Sequence, residues 1–160
     1  MTAEQPSGSG RAVTATRDQA QAEDFEAELR PLIPMALRLA AGMRLDPQDA
    51  EDAVQTAALR AWRKRSNRRP DTDLRPWFLA IVANQCRETR RARWSSVLRF
   101  AEPPETAAPG SDPAGSIDLI NALRRMHPRI RLAIVSRYYL DLPFDEVASI
   151  CGCPVDAAKA

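Results

Sequence analysis

DAEDAVQTAALRAWRK, residues 49 to 64, followed at residues 72 to 94 by TDLRPWFLAIVANQCRETRRARW, decides the fold. In the first stretch Ala50, Val54, Ala57 and Ala61 recur at three- and four-residue steps, with Ala53, Ala58 and Trp62 beside them. Asp49, Asp52, Gln55, Thr56 and Leu59 fall on the opposite side. This is an amphipathic helix whose alanine-rich face permits close packing. Asp46-Pro47 supplies a cap and a first-turn proline at its start. In the second stretch Thr72 or Asp73 caps a helix whose buried side carries Leu74, Trp77, Phe78, Ile81, Val82, Gln85 and Cys86. Ser66 to Asp71, SNRRPD, is the loop between them.

Working outward, Phe25, Leu29, Leu32, Ile33, Ala36, Leu37, Ala40 and Met43 keep helical spacing, and Pro31 and Pro34 predict a kink or two shorter pieces. Residues 1–20 lack apolar periodicity and read as a disordered tail. AEPPETAAPGSDPAGS, residues 101 to 116, is a linker of Pro, Ala and Gly; a boundary over residues 99–116 separates a domain at 21–98 from another at 117–160. In the second, Ile117 to Met126 reads as a short helix, His127-Pro128 breaks it, and Ile130 to Leu140 forms another. LPFDEVASI, Gly152 and residues 154–160 then read as helix, tight turn, helix. The chain is expected to be all-α: two small helical domains on a flexible linker.

The net charge of +2 hides segregation. Leu45 to Leu59 holds four acids and no Lys or Arg, whereas Arg60 to Arg93 holds eleven bases against three acids. Adjacent blocks of opposite sign suggest two partners of opposite charge. The longest apolar run is Phe78 to Ala83, far short of the roughly 20 residues of a membrane span. With no apolar signal core at the N-terminus, a cytoplasmic protein without a membrane partner is expected. Three cysteines suit free thiols there better than a disulfide framework. With His127 the single histidine, the Cys151-Gly152-Cys153 pair lacks the ligands of a zinc site. No catalytic constellation and no cofactor-binding loop can be named, which excludes the enzyme class from the reading.

The two quoted helices, with ALRRMHPRIRLAIVSRYYLDLPFDEVASICGCPVDAAKA after the linker, resemble bacterial RNA polymerase sigma factors of the extracytoplasmic-function (ECF) group. The resemblance covers about residues 25–94 and 117–160. It implies a region 2-like bundle whose acidic helix docks on a coiled coil of core RNA polymerase through Asp49, Asp52, Gln55 and Thr56, with Leu59 as an apolar contact. It further implies that Arg63, Lys64, Arg65, Arg68 and Arg69, in or beside the loop, hold the opened minus-ten strand of promoter DNA. Asn84, seven residues after Trp77, would bond a base edge, and Arg87, Arg90, Arg91 and Arg93 would neutralise phosphate. Trp77 and Phe78 are assigned to the core by their spacing, whereas Trp94 is placed over the helix end or the linker.

The second domain resembles the family's region 4-like helix-turn-helix for the minus-thirty-five element, with Gly152 in the turn and Val155 as the apolar crossing position. Asp156, Ala157 and Lys159 fall where contacts would begin. The chain stops at Ala160, about a turn and a half into this truncated recognition helix; a natural short form, a shortened chain and a domain completed by a partner all fit. An anti-sigma protein is a further partner that the resemblance implies. Two rival readings stand beside it: a helix-turn-helix regulator acting without polymerase, and a thiol-based sensor using Cys86, Cys151 and Cys153.

Overall fold

The computed structural model describes residues 9–97 and 113–160, and all regular structure among them is helical. The elements are α1 (Ser9–Leu29), α2 (Ile33–Gly42), α3 (Pro47–Lys64), α4 (Leu74–Val97), α5 (Pro113–Arg125), α6 (Pro128–Ile134), α7 (Phe144–Cys151) and α8 (Val155–Lys159). The prolines at 31 and 34 resolve into two pieces, a 3-10 turn at Arg30–Leu32 joining α1 to α2. A π-helical turn, Val135–Tyr139, continues α6, so the stretch read as one helix from Ile130 to Leu140 changes winding midway.

Two boundaries differ from the expectation. α1 begins at Ser9, so residues 9–20 are helical rather than a disordered tail. Its Ala, Arg, Gln and Glu are good helix formers, and propensity is a signal that an apolar-stripe search misses. The far end of α1 is anchored: Phe25 and Leu29 are buried, and the Phe25 ring meets Trp62 edge-on at 6.1 Å. α5 begins at Pro113, so residues 113–116 belong to a helix; the rest of the expected linker, residues 99–112, lies outside the described residues.

α3 forms where the sequence places it. Asp46 caps it by accepting the Asp49 N–H at 2.9 Å, and Pro47 occupies the first turn. Ala50, Ala53, Val54, Ala57 and Ala61 are buried, and α3 lies mainly against α4. In α4 Phe78, Leu79, Val82, Ala83 and Cys86 are fully enclosed. Leu79 and Ala83 lie outside the stripe expected from spacing. Their burial follows from α4 being covered on two sides, by α2 and α3 and by α7.

The two halves therefore pack on one another. Leu132, Val135, Leu140, Leu142, Val147 and Ile150 join Ala36, Leu39, Met43, Phe78 and Val82 in one buried cluster. At the boundary Arg75 holds Glu146 with two hydrogen bonds, the Nε one at 2.8 Å. Arg38 donates to the Tyr139 carbonyl at 2.6 Å and lies over the Tyr139 ring. The backbone of α2 comes close to the second half at Gly42, where an added Cβ would stand 2.5 Å from Val135 Cγ1.

Gly42→Ala tests this docking. Helix propensity alone would stabilise the variant by about 1 kcal/mol, whereas forcing the stiff Val135 side chain away costs about 1–3 kcal/mol. Urea denaturation is expected to show net destabilisation; a stabilised variant would mean that the halves do not meet at this point.

Candidate polymerase and nucleic-acid interface

The outward face of α3 carries Glu51, Asp52, Gln55 and Leu59, all exposed, with Leu59 at 57%. A leucine that open on a helix otherwise buried through alanines stands out. Thr56 is half-buried beside it. Asp49, expected on the same face, is half-buried and paired: its Oδ2 lies 2.8 Å from Arg93 Nε, and Arg93 also binds Asp46. The Asp49 N–H, and then Arg93, hold the Asp46 carboxyl below its usual range against the opposing effect of burial.

This pairing joins the start of α3 to the end of α4. The acidic and basic blocks that suggest two external partners thus partly neutralise each other. Arg60 makes a second such link, a two-pronged pair with Glu88 at 2.8 and 3.0 Å that lowers the Glu88 pKa.

The loop after α3 sorts its cations into two groups. Arg65 stacks over Trp62, 4.3 Å from the ring centre, and donates to the Trp62 carbonyl at 2.9 Å. Arg68 donates to the Thr72 carbonyl across the turn. These two shape the loop. Arg63, Lys64 and Arg69 are exposed, and no ion pair to them is found among the described residues. On α4, exposed Asn84 accepts from Arg87 at 3.1 Å, and Arg91 on the same side is exposed. Arg90 is half-buried, four residues beyond the enclosed Cys86. The arginines expected to follow DNA together therefore point in several directions: Arg91 outward, Arg87 to Asn84, Arg93 to α3, and Arg90 along the buried stripe.

At the C-terminal end α7, Gly152 and α8 form the helix-turn-helix. Gly152 adopts φ +65°, and the Cys153 N–H closes onto the Ala148 carbonyl at 3.0 Å. Only glycine adopts that backbone without strain. Val155 is 39% exposed, so it is not the packed crossing residue; Ala158, one turn on, packs against the core instead. Asp156, Ala157 and Lys159 are exposed, and Lys159 stands 4.0 Å from Asp156.

Trp77 is partly buried and Phe78 fully buried, whereas Trp94 is 69% exposed; the linker it was expected to meet lies outside the described residues. No group of three or more His, Cys, Asp or Glu able to hold a metal occurs among the described residues, and none of their helices is long and apolar enough to cross a membrane. The three cysteines are free. Sequence reasoning missed Arg75 and Glu146 as the boundary pair, because their meeting depends on tertiary contact between segments 71 residues apart.

Residues 29–96 match the family described as Sigma-70 region 2, the helices α2 to α4 and the loop between α3 and α4. The fold and this match define the class, an RNA polymerase sigma factor. The chain belongs to the extracytoplasmic-function group of that family. It is 31% identical over 115 residues to RNA polymerase sigma factor CarQ of Myxococcus xanthus, covering 69% of this chain and 66% of that protein. It is 30% identical over 160 residues to ECF RNA polymerase sigma factor SigJ of Mycobacterium tuberculosis, covering 87% of this chain and 46% of that protein. The chain thus spans only part of the length of both. Among solved structures, it is similar to the sigma factor RpoE of Bartonella quintana, crystallised with the anti-sigma factor NepR, with a TM-score of 0.70, 27% identity and coverage of 86% of this chain and 88% of that one. It also shares its fold with CnrH, solved with the cytosolic domain of CnrY, at a TM-score of 0.60 and 22% identity over 92% of this chain and 84% of that one.

Burial pushes the Cys86 thiol from 9.0 up to about 12, with Arg87 and Arg90 only partly opposing it. At pH 8, alkylation of the folded chain is expected to label Cys153 and Cys151 well before Cys86. Between pH 9 and pH 12 the unfolded thiol ionises while the folded one does not, so this group's contribution to stability is full below pH 9 and falls as pH rises through that window. Denaturation at pH 8 and pH 10 should show a smaller stability loss in Cys86→Val than in the parent; equal losses would sink the assignment.

Proposed function

We propose that this chain acts as a transcription initiation factor that binds core RNA polymerase and directs it to promoters. The observation that carries this reading is the outward face of α3, where exposed Leu59 sits beside Asp52 and Gln55 within the matched family segment. An exposed apolar residue on a polar helix face, with Gln55 one turn and Asp52 two turns before it, suits a docking surface better than a solvated face. Asp49 and Thr56 flank that contact. The loop cations Arg63, Lys64 and Arg69, with Asn84 and Arg91, serve the opened minus-ten strand, while Arg65 and Arg68 set the loop's shape. Asp156, Ala157 and Lys159 face the minus-thirty-five element. The relative solved with NepR supports an anti-sigma protein as a further partner, and work alongside polymerase places the chain in the cytoplasm. The division of roles follows the two parts read from sequence, near 21–98 and 117–160, with their first helices starting earlier, at Ser9 and Pro113.

A titration against core RNA polymerase tests the docking face. Asp52→Arg should weaken saturable binding by roughly tenfold or more with the helical circular dichroism unchanged; equal binding would remove α3 from the interface. Binding of a minus-ten single strand tests the loop. Removing two phosphate contacts with Arg63→Gln and Arg69→Gln should flatten the plot of log affinity against log salt by about 1.4. An unchanged slope would mean that these cations do not touch the strand.

A further inference from the structure

The later half of α4 has a face that the core does not use. Asn84, Arg87, Arg91 and Trp94 follow one another at steps of three, four and three residues, which sets them along one side of the helix. Arg93 is turned to α3 by its pairs with Asp46 and Asp49. Trp94, a little over a quarter-turn further round, stays clear of that contact. Its side chain is 69% exposed, and residues 91 to 95 are all exposed around it.

The chain has three tryptophans, and their rings differ in what they meet. Trp62 takes the Phe25 ring edge-on at 6.1 Å and is covered by Arg65, 4.3 Å from its centre. Trp77 packs against the apolar core. For Trp94 no ring or cation contact is found among the described residues. So large a ring, left open in line with arginines, suits a partner that is both flat and anionic. The single acid between residues 84 and 95 is Glu88, which Arg60 holds in a two-pronged pair at 2.8 and 3.0 Å. Its charge is thereby offset, and an anion on this face meets little repulsion.

We infer that Trp94 is a stacking platform for an unpaired base of single-stranded DNA, with Arg91 beside it on a phosphate. This rests on the reading that α4 follows the opened strand, and adds to it a residue and a place on that strand. An aromatic side chain accepts the face of any base, while neighbouring cations track the backbone. The helix spacing says how far along the strand the base lies. Ten residues separate Trp94 from Asn84 by about 15 Å along the axis, roughly four nucleotide steps of 3.4 Å. Trp94 therefore meets a base several positions from the one at Asn84 and is indifferent to its identity.

The test is titration of the full chain with single-stranded oligothymidine of about 15 nucleotides, repeated over a series of sodium chloride concentrations. Trp94→Ala should bind roughly tenfold more weakly than the parent, with the slope of log affinity against log salt unchanged, because no phosphate contact is lost. Arg91→Gln should instead flatten that slope by about 0.7. Trp94→Phe keeps a ring and should retain most of the affinity. Oligothymidine should quench the parent's tryptophan emission, and most of that quenching should vanish in Trp94→Phe. The side chain is exposed, so these variants should fold, which circular dichroism and thermal unfolding check. If the Arg63→Gln, Arg69→Gln loop variant flattens the slope while Trp94→Ala binds as the parent does, the strand reading stands and the platform falls. A lower melting temperature with unchanged affinity would mean that the ring packs on its own chain, and would overturn the platform. A flattened slope in Trp94→Ala would also overturn it, and no binding by the parent would remove both the platform and the loop contacts.

Discussion

The burial of α4 on two sides is the constraint from which the rest of the arrangement follows. A helix covered by one neighbour needs one apolar stripe; α4 encloses Phe78, Leu79, Val82, Ala83 and Cys86, an arc too wide for a single partner. The alanine face of α3 lets one side close tightly, and α7 with the residues before it closes the other. Along the middle of α4 what remains uncovered is Asn84, Glu88 and Arg91, and from Arg91 to Ser95 the helix is exposed. The same packing leaves the outer face of α3 open, since its partner lies wholly on the alanine side. Position and exposure of the candidate surfaces are thus by-products of how the core is filled.

The contacts between the halves are of two kinds with different roles. Val135 against Gly42 and the shared apolar cluster are short-range and sensitive to shape. The Arg75–Glu146 pair is partly exposed, with the arginine side chain at 43% and the glutamate at 12%, and fixes orientation more than it adds stability. Docking of the halves is therefore favoured by packing and oriented by one ion pair.

Much of the architecture was legible in the sequence. Asp46-Pro47 announced α3, alanine spacing gave its buried face, and Gly152 marked the turn between α7 and α8; each is a local signal acting within a few residues. Burial of Leu79 and Ala83 and the Arg75–Glu146 pair could not be read that way, because they exist only once distant segments meet. Helical residues 9–20 are not legible in the same way, because helix propensity without an apolar stripe leaves no periodic signal. The candidate surface was legible as residue types: the acids, the loop cations and Leu59. Their division into exposed groups and groups already engaged, Arg93 with Asp46 and Asp49, Arg65 with Trp62, Arg68 with Thr72, required coordinates.

Arg93 has a thermodynamic consequence. It is shared between two carboxylates at the start of α3, one of which lies on the candidate docking face. A cationic surface that takes Asp49 Oδ2 competes with Arg93 for it, and an anion that takes the Nε edge of Arg93 competes with Asp49. The two events are linked through one exchangeable pair, so each makes the other easier by the same factor. Two surfaces on different helices are in this way energetically coupled by a single side chain, with no movement of the backbone between them.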